Sequence, residues 1–282
     1  MKLFASLLVV FLIFVCSVSV LSPGLVAQSP LYELRVYQPH EGKQKELLAF
    51  IEKHGMRITQ ANDIEIFGAF VPLSAEDDRI VTLVRHKDRE SCDRNYEKMM
   101  ADPKTQAAFQ EVFPSGPPVQ SLTRVFLRTT DYSPALPRGS LGNRVFELRS
   151  YIASSGNLES LNARFRNHTM KLFAKHGMNN LIYWNVDDGG AMKAVDLLAG
   201  VSPKNQAAAE ISEELPSQGN ALVYFLTHAS QDAAKGSFDA FRQDPDWVAV
   251  RTESEKRAGG SLTAGSGVKS WFLKPTDFSP LK

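Results

Sequence analysis

Tyr32-Glu33-Leu34-Arg35-Val36-Tyr37 alternates apolar with charged side chains, and Phe146-Glu147-Leu148-Arg149-Ser150-Tyr151 renews the pattern in the second half of the chain. Alternation with a period of two is the signature of a half-buried β-strand, so each stretch opens a unit with a strand. Working outward, each is followed by a helix-like stretch that reaches Lys-His-Gly-Met, at Lys53-His54-Gly55-Met56 and at Lys175-His176-Gly177-Met178. Ala101-Asp102-Pro103-Lys104 is answered by Gln243-Asp244-Pro245-Asp246, and Thr130-Asp131-Tyr132-Ser133-Pro134 by Thr276-Asp277-Phe278-Ser279-Pro280. Matches that keep their order imply a duplicated unit. The expected domains are 31–134 and 143–282, joined by a linker rich in Pro and Gly.

Within each unit the pattern reads strand (31–38, 145–152), helix (41–54, 157–176), strand (64–71, 181–186) and strand (80–86, 221–228). A helix broken at Asp-Pro follows, because proline lacks the N–H donor and clashes with the preceding turn, and a last strand (121–128, 268–274) ends the unit. This order, βαββαβ, is the ferredoxin-like arrangement. The expected class is therefore α+β, with two tandem ferredoxin-like units whose antiparallel sheets can cover each other. The second unit carries an insertion at 187–220, a candidate lid in which 191–198 and 205–215 look helical.

The 282 residues include 32 basic and 31 acidic side chains and no basic run, so the sequence offers no ground for a nucleic-acid partner. Residues 1–27 differ in kind: Lys2 precedes a long apolar run that ends near Ala27, the pattern of an export signal, with an uncleaved membrane anchor as the alternative. A periplasmic or extracellular location follows, and a membrane is a partner only if the segment is retained. With the signal removed Cys92 is the sole cysteine, which rules out an intramolecular disulfide, and the flanking acids disfavour a reactive thiolate.

Both Lys-His-Gly-Met segments read as helix terminators: glycine accepts left-handed angles, and Lys and His complement the negative end of the helix dipole. His168 reads differently. Leu158, Leu161, Phe165 and Leu172 form one apolar stripe, and His168 takes the remaining slot, which directs the imidazole to the core side. Superposing the two Lys-His-Gly-Met segments puts Glu46 opposite His168, so the histidine belongs to one copy. It serves equally as a satisfied core residue or as an acid/base. Arg164, one turn earlier, suits an anionic group, and Tyr183 offers a hydrogen-bond donor. His176, Trp184 and Trp247 complete the candidates as ligand-binding residues around an apolar pocket in the second unit. His168 and His176 lie about 12 Å apart along a helix, too far to share a metal ion, and no metal site is expected.

Glu147-Leu148-Arg149-Ser150-Tyr151, Arg166-Asn167-His168, Lys175-His176-Gly177-Met178, Tyr183-Trp184 and Asp244-Pro245-Asp246-Trp247 together resemble the signature run of the NIPSNAP family. The resemblance implies the dimeric α/β-barrel superfamily, in which such antiparallel sheets pair into an α/β barrel and which includes cofactor-free monooxygenases, haem-dependent enzymes and proteins of unknown activity. Two functions follow as expectations. One is a cofactor-independent, monooxygenase-like small-molecule enzyme with its pocket in the second unit. The other is a non-catalytic binding or interaction module. Neither calls for a bound cofactor. The expected partners are a small apolar or aromatic ligand and a further copy of the chain.

Overall fold

In the computed structural model, residues 30–187, 192–194, 205–207, 214–216 and 218–282 are described. The first unit runs β1 (Leu31–Pro39), α1 (Gln44–Phe50), a π-helical turn (Ile51–Gly55), α2 (Met56–Ala61), β2 (Glu65–Pro72), β3 (Ile80–His86), α3 (Arg89–Ala101), α4 (Pro103–Val112) and β4 (Val119–Thr129). The second runs β5 (Val145–Ala153), α5 (Leu158–Arg164), a π-helical turn (Phe165–Thr169), α6 (Met170–Lys175) and β6 (Asn179–Val186). After the short strands β7 (Met192–Ala194) and β8 (Asn205–Ala207) it continues through β9 (Ala221–His228), α7 (Gln231–Gln243), α8 (Pro245–Ala258) and β10 (Thr263–Pro275). The expected βαββαβ order holds in both. Asp102 and Asp244 each end one helix and cap the next, accepting from the N–H two residues on, with proline at the first helical position.

Eight strands close into an antiparallel barrel in the order β1-β3-β2-β10-β5-β9-β6-β4, with β4 returning to β1. Each unit's last strand pairs with the other unit's second strand: β10 with β2 through Leu273–Pro72, and β4 with β6 through Leu127–Val186. The repeated Thr-Asp-Tyr/Phe-Ser-Pro segments extend these joints. Thr130 donates its N–H to the Tyr183 carbonyl while Ser133 Oγ accepts the Tyr183 N–H; Thr276 and Ser279 do the same to Ala69. Alternation along β1 sends Tyr32, Leu34 and Val36 into the barrel, which side chains fill, and Leu31, Glu33, Arg35 and Tyr37 outward beneath the helices.

Several expectations are corrected. The first-unit helix does not stop at Gly55, whose φ of −56° is helical. It passes through the π-turn and ends at Asn62, with Asp63 at φ 55°. Ile64 then donates to the Thr59 carbonyl, closing a Schellman motif. In the second unit Gly177, at φ 76°, does terminate the helix, with Met178 donating to the Phe173 carbonyl. The two π-turns begin at the same distance from the starts of β1 and β5, so His54, not Glu46, corresponds to His168. The repeated Lys-His-Gly-Met words thus occupy different places in the two helices. His168 is exposed. The turn's extra residue breaks the 3.6-residue phase, and Thr169 takes the buried slot while its hydroxyl donates to the Arg164 carbonyl at 3.2 Å.

Most of the 187–220 insertion lies outside the described residues, as do residues 1–29. Met192–Ala194 and Asn205–Ala207, expected to be helical, form an antiparallel pair, and β7 extends the sheet along β4. Leu215 is buried in the barrel interior, and Glu214 accepts from Arg79 at 2.7 and 2.9 Å. Among the described residues no helix is long and apolar enough to cross a membrane.

Candidate functional site

On the helix-facing side of each sheet lies a buried ionic network that sequence reasoning did not single out. Glu33 Oε1 forms an ion pair with Arg124 Nε at 2.7 Å, its Oε2 accepts from Arg35 Nη2 at 2.8 Å and lies 2.8 Å from His86 Nε2, and the side chain is wholly buried. Burial alone would raise its pKa, but Arg124, Arg35 and His86 outweigh that and hold the carboxyl well below the ordinary range. In the second unit Glu147 contacts Arg149, His228 Nε2 at 2.9 Å and Ser270 Oγ at 2.6 Å, with its pKa likewise lowered against burial, by His228, Arg149 and Ser270. Ser270 pairs with Arg149 across the sheet as Arg124 pairs with Arg35. The signal was the recurrence of Glu-x-Arg in β1 and β5 together with a histidine closing β3 and β9.

Glu33, His86 and Cys92 also form a buried group with the geometry of three metal ligands. They do not suit a cation. Two guanidiniums already hold the carboxylate, and burial, then the charge of Glu33, push the Cys92 thiol up to about 12.

The sequence candidates separate. Tyr183 is buried, its hydroxyl bonded to Asn180 and its ring stacked on Tyr224 at 4.9 Å. Trp184, next along the strand, points into the barrel and packs on Tyr32 and Phe225. His176 sits at the end of α6 and bonds Asp244 Oδ2 at 2.7 Å; with Lys175 it lowers the Asp244 pKa. Arg164 and Trp247 do come together, guanidinium over indole at 5.2 Å, in a cleft of about 310 Å³ between β5, α5, α8 and β10. Tyr151, Arg149 and Glu255 share its wall. His168 lines a separate hollow on the other side of Arg164, between α5 and α8.

Arg164 defines the cleft's chemistry. Its side chain is 6% exposed. Its nearest polar neighbours are Ser254 Oγ at 3.5 Å and Glu255 at 3.8 Å, and its Nε has no partner. Burial pulls its pKa below the ordinary arginine value, and Glu255 opposes this only in part. A buried guanidinium so poorly compensated is costly unless an anion joins it. The π-turn builds the site: it ends α5 at Arg164 and sets Phe165 and Thr169 into the cleft wall.

The sequence model of the NIPSNAP family matches residues 32–134. No curated protein matches the chain. Among solved structures, a monooxygenase-like protein from Lactobacillus acidophilus NCFM is 12% identical, over 88% of this chain and 94% of its own, at a TM-score of 0.51. An anthrone oxidase-like protein is 13% identical over 88% and 92%, at 0.50. An uncharacterised NIPSNAP domain protein from Burkholderia xenovorans is 26% identical over 37% of this chain and 99% of its own, at 0.32. The first two share the barrel architecture across both units, and with it the fold alone.

Proposed function

Residues 32–134 being a NIPSNAP domain within an α/β-barrel chain, we propose that the protein binds a small aromatic or apolar carboxylate in the cleft of its second unit. The observation that carries this is the buried, under-compensated guanidinium of Arg164 beside the Trp247 indole. The carboxylate meets Arg164, and the ligand's apolar body lies against Trp247 and Tyr151 in a volume suited to a single-ring compound. Tyr183 and Trp184 act as packing residues in this reading, and His168 stands outside the cleft.

Titration calorimetry with benzoate and benzamide tests it. Benzoate binds the wild-type protein, benzamide binds far more weakly, and Arg164→Met lowers benzoate affinity at least about tenfold while leaving the fold intact. Equal benzoate affinity in Arg164→Met would sink the proposal. Cofactor-independent oxygenation, in which an activated CH2 of the bound ligand supplies all four electrons and O2 ends as one carbonyl oxygen and one water, is the enzymatic form of the same reading, and oxygen uptake dependent on Arg164 is its measure. Export directed by residues 1–27 belongs to the proposal as well. N-terminal sequencing of the mature protein checks it, with Gln28 expected as the first residue.

A further inference from the structure

Beneath their helices the two units differ: one is filled and the other hollow. In the second, Tyr224 stands opposite Arg149 on the neighbouring strand, and its hydroxyl accepts from Arg149 Nε at 3.0 Å. The Tyr224 ring lies against Tyr151, Phe165 and Phe173 and stacks on Tyr183. The same register in the first unit puts Thr82 opposite Arg35. Ala69 occupies the strand position of Tyr183, since each receives the clasp from the other unit. Two large rings are thereby missing from beneath the first unit's helices.

A cavity of about 90 Å³ opens there, and Tyr37, Ile51 and Thr59, the counterparts of Tyr151, Phe165 and Phe173, line it. Arg35, Thr82 and Tyr96 line it too. Arg35 Nε, Thr82 Oγ1 and Tyr96 OH are all buried and have no hydrogen-bond partner. Buried polar atoms are almost always paired, so three orphans around one cavity mark a place where an oxygen atom belongs. The second unit shows which oxygen: its own tyrosine supplies a phenol hydroxyl to the matching arginine.

We propose that the first unit's cavity binds a small free phenol, its ring in the place of the Tyr224 ring and its oxygen bonded to Arg35 Nε, Tyr96 OH and Thr82 Oγ1. Two guanidiniums face one carboxylate behind this point, Arg35 and Arg124 against Glu33. The cavity is smaller than the ~150 Å³ that admits benzene in an engineered apolar core. Met99 and Met100, flexible side chains in its wall, yield the remaining room. The site is independent of the Arg164 cleft.

Calorimetry and ultraviolet difference spectroscopy with phenol test the proposal. The wild-type protein is expected to bind one equivalent, with a shift of the phenol absorbance band on binding. Thr82→Tyr rebuilds the second unit's plug and should weaken binding at least tenfold. Tyr96→Phe and Thr82→Val, which keep the side-chain shapes, should each weaken it several-fold without lowering the melting temperature, because each removes an orphaned polar atom. The last two variants decide the matter even if Thr82→Tyr does not fold. Absence of phenol binding by the wild type, affinities unchanged in Tyr96→Phe and Thr82→Val, or a lower melting temperature in both would overturn it.

Discussion

Glu33 is the residue on which the first unit's electrostatics turn, since among the described residues its buried carboxylate is the one paired with both Arg35 and Arg124. Glu33→Gln should cost about 3–5 kcal/mol at neutral pH, measured by urea denaturation, because it leaves two buried guanidiniums without a counter-charge. The pH dependence follows from the same contacts. The folded pKa of Glu33 lies well below the ordinary glutamate value of about 4.3. Its contribution is fully present above that value and is lost as the pH falls toward the folded pKa, so acid should destabilise the wild type more steeply than Glu33→Gln. His168→Ala, by contrast, changes an exposed side chain and should shift stability by no more than about 0.5 kcal/mol. Arg164 and Trp247 were each singled out in the sequence, one beside His168 and the other among the aromatic candidates, but their meeting was not, because it depends on how α5 packs against α8. The Glu-Arg-His network was not, because the pairing of a strand's first residues with the end of another lies in the sheet register.

At the scale of elements, two four-residue segments of identical sequence adopt different conformations, which shows how little a short word determines. Gly55 is held in helical geometry inside a π-turn, and a Cβ there would meet Ile51 at an ordinary 3.6 Å. Gly55→Ala should therefore stabilise by about 0.5–1 kcal/mol through lost unfolded-state freedom. Gly177 has φ 76°, so Gly177→Ala should destabilise by about 1 kcal/mol or more. Thermal denaturation of both variants distinguishes the two roles. The π-turns themselves were invisible to a reading in steps of 3.6 residues, and they displaced His168 from the stripe that the periodicity assigned to it.

At the scale of the molecule, neither unit is self-sufficient. The sheet face carrying Leu34, Val36, Leu83 and Val125 is buried only by the other unit, and the joints run through β2·β10 and β4·β6. Residues 30–134 expressed alone should therefore self-associate, pairing β2 of one copy with β4 of another, which sedimentation analysis would show as a dimer. Ser279→Ala leaves the Ala69 N–H without its partner in a buried setting and should cost about 1–3 kcal/mol in chemical denaturation.

The order βαββαβ, written twice, the alternation that gives each sheet one face for helices and one for a partner sheet, and the Asp-Pro helix junctions were determined by the sequence alone. Such features depend on local periodicity and on the backbone chemistry of Gly, Pro and Asp. Which strands close the barrel, which histidines are buried, and that Thr82 leaves a hollow where Tyr224 fills one were decided by the tertiary structure. Those depend on cross-strand register and on the volume of residues far apart in the chain, and no window along the sequence contains both partners.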